Sequence, residues 1–178
     1  MGIRNYLIEG VSCAGKTTVA EELQRRGYHV IHGDRELAYR GDPRSGEPLA
    51  EHAPPGVVDK LAWEHQHWIW RVEKVKSLIA DQRHANSFFC GGSRNFHHFI
   101  DLFDAVFVLD IDLETLARRL AARPEDEFGG KHKERELVTR LHATKEDIPK
   151  TGVAIDATAP IERVVDEILD KIRSDDRG

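Results

Sequence analysis

Short, almost wholly apolar runs alternate along this chain with longer stretches in which apolar residues recur every three or four positions. Tyr6-Leu7-Ile8, His29-Val30-Ile31-His32, Ser87-Phe88-Phe89-Cys90, Ala105-Val106-Phe107-Val108-Leu109 and Val153-Ala154-Ile155 read as strands. Runs this apolar suit strands covered on both faces, as in a parallel sheet. Helical spacing runs through 18–26, closed by Gly27, and through 57–83, with the stripe Val58, Leu61, Trp68, Val72, Val75 and Ile79. It returns in 113–123, stopped by Pro124, in 134–147 and in 161–172. The alternation predicts an α/β fold of three layers, a parallel sheet with helices on both faces.

Two stretches carry neither period. Residues 39–56 hold Gly41, Pro43, Gly46, Pro48, Pro54 and Pro55, which predicts a long loop. Residues 124–134, charged and centred on Gly129-Gly130, read as a short mobile lid. There is no repeat and no composition shift, so 1–178 reads as a single domain.

Between the first strand and its helix lies Gly10-Val11-Ser12-Cys13-Ala14-Gly15-Lys16-Thr17, a match to G-x-x-x-x-G-K-[ST]. A strand that turns through glycines into a helix leaves backbone N–H groups unpaired at a positive dipole end, where a polyphosphate binds. Gly10, Ser12, Cys13, Ala14, Gly15, Lys16, Thr17 and Thr18 are therefore the expected ATP-binding residues. Lys16 is placed on the β- and γ-phosphates, and Thr17 on Mg²⁺.

The remaining composition narrows the partners. A formal charge of −5 over 178 residues argues against a general nucleic-acid or anionic-membrane binder. No apolar run is long enough to span a bilayer and no leader pattern opens the chain, so a cytoplasmic monomer or weak homodimer is expected. The two cysteines need not pair.

With these motifs in order, the chain resembles the small P-loop kinases of the nucleoside-monophosphate-kinase and shikimate-kinase group. The resemblance rests on the phosphate loop, on the turn Cys90-Gly91-Gly92-Ser93-Arg94, on Arg119 and Arg123 before Pro124, and on Ile155-Asp156-Ala157-Thr158-Ala159-Pro160. It implies sheet order 2-3-1-4-5 and transfer of the ATP γ-phosphate to a small molecule. It also implies a catalytic lid arginine at Arg119 or Arg123, and contact of Arg119, Asp156, Thr158 and Pro160 with the nucleotide. Arg71 follows an aromatic residue much as an acceptor-binding arginine does in shikimate kinases. Where monophosphate kinases keep an aspartate, this chain has Cys90, which is no ligand for Mg²⁺. Asp34, at the carboxyl end of the second strand, is the candidate for that duty.

The acceptor could be either of two kinds. A hydroxyl acceptor gains from a carboxylate that takes its proton, a task suited to Asp34, whereas a phosphate acceptor needs arginines, a task suited to Arg94. Asp34, Arg35, Arg71, Gly91, Gly92 and Arg94 form the expected acceptor site within an insertion over 35–83 and the turn after the third strand. Asp34 could instead cap the helix beginning near Arg35. Trp63, His67, Trp70 and Arg71 could form an aromatic and basic wall. His65-x-His67 and His97-His98 lack a third ligand at a recognised spacing and read as ordinary histidines. A hydroxyl acceptor of nucleoside, shikimate or sugar type is slightly favoured. A nucleoside monophosphate kinase is the alternative, and a nucleotide-binding switch or regulatory ATPase is the reading from another class.

Overall fold

The computed structural model describes residues 3–175. The first half runs β1 (Arg4–Gly10), α1 (Lys16–Arg25), β2 (His29–His32), α2 (Gly33–Glu36), β3 (Ala38–Arg40), α3 (Lys60–Gln66), β4 (Trp68–Trp70) and α4 (Val72–Ile79). The second runs β5 (Asn86–Cys90), β6 (Ala105–Asp110), α5 (Leu113–Ala121), α6 (His132–Thr144), β7 (Val153–Asp156) and α7 (Ile161–Asp175). The main sheet is parallel, in the order β2-β5-β1-β6-β7. Counting only its own strands, that is the expected order 2-3-1-4-5.

Alternation along the strands divides the core between the two faces. Tyr6, Ile8, Phe88 and Phe107 pack on one side with Val19, Leu23, Leu116, Val165 and Ile168 from the helices. Leu7, Ile31 and Phe89 pack on the other with Trp70, Val75, Phe99 and Phe103. With β1 at the centre, its carboxyl end and the loop after it lie at the middle of the sheet edge, where ligands of open α/β sheets collect.

The structure corrects the single helix expected over 57–83. The segment divides into α3, β4 and α4, because Trp68-Ile69-Trp70 pairs antiparallel with Ala38-Tyr39-Arg40. Apolar spacing alone could not separate these cases, since a short aromatic run satisfies both periods and partner strands decide it. The buried Trp70 amide donates to Asn95 Oδ1 (3.0 Å) and Ser93 Oγ (3.2 Å), and Asn95 Nδ2 donates back to Trp70 O (2.9 Å). The Trp70 ring stacks on Phe99 with 5.6 Å between centroids, and a Cβ at Gly33 would lie 2.0 Å from it. Glycine at that position is what admits the ring.

The loop expected over 39–56 is partly ordered: Tyr39 and Arg40 belong to β3, and Gly41 bridges Pro48. The helix expected over 134–147 ends at Thr144, with Lys145 in the left-handed region at φ 53°. Asp147 therefore sits in the following loop and turns inward. The lid segment folds as turns on the start of α6, where Glu134 Oε2 accepts from Gly129 N (3.0 Å) and Lys131 N (3.2 Å).

Candidate active site

The phosphate loop leaves β1 at Gly10, where a Cβ would lie 2.9 Å from Leu109 O. It enters α1 through Gly15 at φ 109°. Lys16 Nζ donates to Gly10 O (2.5 Å) and Val11 O (2.9 Å), so its charge rests on the rim of the loop. The cavity there holds about 490 Å³ and is lined by 12–19, Asp34, Arg119, Arg123, Ala157 and Ala159 among others. Thr17 and Asp34 both face this cavity and offer the hard oxygens that Mg²⁺ takes, so the residues fit that ion. Cys90 is buried and its thiol is pushed well above its usual range by desolvation, so it stays a neutral S–H.

Arg119 spans the cleft: Nη1 donates to Cys13 O (3.1 Å) and Ala14 O (2.9 Å), and Nη2 to Ala157 O (2.7 Å). It fastens the loop to the segment after β7. Arg123 donates to Cys13 Sγ at 3.3 Å and pairs with Glu127 at 3.3 Å. Asp156 Oδ1 accepts from Thr158 N (2.9 Å) and Oγ1 (2.6 Å), closing a turn, and Pro160 O accepts from Val164 N at the start of α7. Their neighbours Ala157 and Ala159 line the cleft, while Asp156 lines a separate surface depression.

A second cavity of about 410 Å³ shares Ser12, Lys16, Asp34 and Arg123 with the first. Its other walls include Arg40, Glu64, His65, Trp68, Gly92, Arg94, Phe128 and Asp147. Asp34 lies in the first turn of α2, but the N-cap is His32, so Asp34 is not the cap. Its Oδ1 accepts from Trp68 Nε1 (3.2 Å) and Gly92 N (3.4 Å). Gly91 allows this approach, since a Cβ there would stand 3.1 Å from Asp34 Oδ1 and 2.7 Å from the Trp70 ring.

Arg94 is held by Asp147, which sequence reasoning missed. Its Nη1 lies 2.9 Å from Asp147 Oδ2 and also donates to Asp147 O. His65 Nε2 is 3.1 Å from the same Oδ2. Desolvation pushes the Asp147 carboxyl upward, but the His65 hydrogen bond and the Arg94 charge outweigh it and hold it below the usual carboxylate range. Burial depresses His65, which is therefore neutral at pH 7 and donates its Nε2–H to Asp147.

Two expected acceptor residues stand apart from these cavities. Arg71 lies over the Tyr39 ring, 4.4 Å from its centroid, and Arg35 is exposed on α2. The aromatic wall does not assemble as expected, because Trp70 is in the core while Trp63 stacks on His67 at 4.1 Å. Trp68 lines the second cavity instead. Among the described residues no group of three or more His, Cys, Asp or Glu side chains is arranged to hold a metal.

Glu9 was also missed, although a carboxylate inside an apolar strand was the visible signal. It is wholly buried, with Oε2 accepting from Gly10 N and Oε1 from Ser93 N, both at 3.1 Å. It thus ties the phosphate loop to the turn after β5. Desolvation pushes its pKa up to about 7, against the pull of Arg94, Lys16 and the two amides. The folded protein keeps this proton to higher pH than the unfolded chain, so stability is lost as pH rises from about 4.5 to about 7. Glu9→Gln does not titrate. Relative to that variant, the wild type should lose roughly 2–3 kcal/mol between about pH 5 and 8, read as several degrees of melting temperature. A difference in melting temperature that stays constant across that range would refute the assignment.

Fold and loop together define a P-loop nucleotide-binding protein with the architecture of small-molecule kinases. The chain belongs to the AAA domain family, whose AAA_18 model matches residues 7–139. No curated protein sequence matches it. Among solved structures it is similar to a sugar kinase from Janibacter sp. HTCC2649, with TM-score 0.54, 18% identity, and coverage of 94% of this chain and 92% of that one. Shikimate kinase from Aquifex aeolicus gives TM-score 0.52 and 22% identity, covering 98% and 99%. Deoxyadenosine kinase from M. mycoides gives TM-score 0.55 and 16% identity, covering 96% and 99%.

Proposed function

We propose that this protein transfers the γ-phosphate of ATP to a hydroxyl group of a small molecule. The observation that carries the proposal is the meeting of two cavities at Lys16 and Asp34, one beside the phosphate loop and one beside an aromatic, polar pocket. Phosphoryl transfer asks mainly for this positioning and for charge around the transferring group. The loop amides and Lys16 hold the phosphates. Thr17 and Asp34 are the residues that would hold Mg²⁺, which when bound neutralises phosphate charge. Arg119 keeps the loop in shape from behind, and Arg123, facing both cavities, meets charge on the transferring group. Asp34, anchored through Oδ1 by Trp68 and Gly92, accepts the proton of the acceptor hydroxyl.

The monophosphate reading depended on Arg94 as a phosphate clamp, and Asp147 already occupies that guanidinium. The names of the similar structures, a sugar kinase, a shikimate kinase and a deoxyadenosine kinase, all point to hydroxyl-bearing acceptors. ADP release with Mg·ATP should rise with at least one nucleoside, sugar or aminocyclitol and stay at background with nucleoside monophosphates. Release driven by monophosphates alone would overturn the hydroxyl assignment.

A further inference from the structure

Resting on the hydroxyl-kinase reading, we propose that Asp147 is a specificity-determining residue that restricts the acceptor to molecules uncharged where they meet Arg94. Arg94 and Asp147 are each nine-tenths buried or more, with side-chain exposures of 10% and 5%, and their ion pair spans 2.9 Å. A carboxylate or phosphate that took the guanidinium would leave Asp147 buried without its cation, a state far costlier than the pair itself. The same incoming anion would face the Asp147 charge across the pocket.

The rest of the wall points the same way. Lys16 and Arg123 face the nucleotide cavity as well as the acceptor cavity. Setting aside those two and Asp34, which lines both cavities as well, Arg40 and Arg94 stand against Glu64, Glu134 and Asp147, an excess of one carboxylate. Glu134 is taken up by the lid amides, and Arg40 Nε is tied to the backbone at Glu51 O. Neutral His65 completes the cluster, with its ring nearly parallel to Phe128 at 6.2 Å, so the surface offered beside the polar groups is aromatic. Such a pocket takes an uncharged polyhydroxylated acceptor, a sugar or a nucleoside, and rejects its acid or phosphate counterpart.

Asp147→Asn keeps the size and removes the charge, freeing Arg94. ADP release by wild type and variant should be compared on glucose against gluconate and on deoxyadenosine against deoxyadenosine monophosphate. The variant should shift the ratio of kcat/KM toward the anionic member at least tenfold, largely through KM. A binding arm needs no turnover: with ADP and Mg²⁺ saturating the nucleotide cavity, inorganic phosphate should bind the variant at least tenfold more tightly than the wild type. That gain should disappear when Arg94→Gln is added. A folded Asp147→Asn with no change in acceptor ratio and no gain in phosphate affinity overturns the proposal. Phosphate binding by the ADP-saturated wild type that vanishes in Arg94→Gln overturns it as well, and requires no variant at position 147. Gain of phosphate binding in a protein that phosphorylates no hydroxyl compound would leave the subsite standing and remove the kinase reading.

Discussion

Lys16→Ala is expected to lower kcat/KM for phosphoryl transfer by roughly a hundredfold or more, the scale of losing a charge aimed at the transferring phosphate. In the folded protein the lysine's visible contacts are two hydrogen bonds to carbonyls of its own loop, Gly10 O and Val11 O. Losing them costs about 1 kcal/mol, the order of the net worth of part-buried hydrogen bonds. Melting temperature should therefore fall by only a few degrees. ADP production and thermal melting measured on one preparation separate the two effects. Turnover above a tenth of wild type would show that the loop is not catalytic.

Asp34→Asn is expected to lower kcat by about two to four orders of magnitude, the range for a lost general base. The amide oxygen can still accept from Trp68 Nε1 and Gly92 N, and the helix cap belongs to His32, so the fold should be nearly unaffected. The loss should appear in kcat more than in the KM for ATP, since Lys16 and the loop amides hold the nucleotide. Undiminished turnover would mean that the acceptor brings its own anion, and the monophosphate reading would return. Unchanged ATP binding alongside undiminished turnover in both variants would favour a site elsewhere on the chain.

The proposed nucleotide half of the site was legible because its residues are contiguous. Ser12 to Thr18 line one cavity from a single loop and the first turn of one helix after one strand, and each step has a local cause in glycine, apolar run or helix dipole. The proposed acceptor half was legible only in fragments. Asp34, Gly92 and Arg94 were found by their places after strands, whereas Trp68, His65 and Asp147 come from segments read as uninterrupted helix.

By itself, the sequence determined the alternation of strands and helices, the position and chemistry of the phosphate loop, and the family resemblance that supplied the sheet order. These follow from periodicity and from short-range backbone rules, which act within a few residues. Only the tertiary structure decided that Trp68-Ile69-Trp70 leaves helix for strand, because its partner β3 lies some thirty residues earlier. Only it decided that α6 stops at Thr144 and delivers Asp147 to Arg94. The character of the second cavity, the proposed acceptor pocket, depends on that pairing, since the same arginine is an anion clamp when free and a neutralised wall when a buried carboxylate holds it.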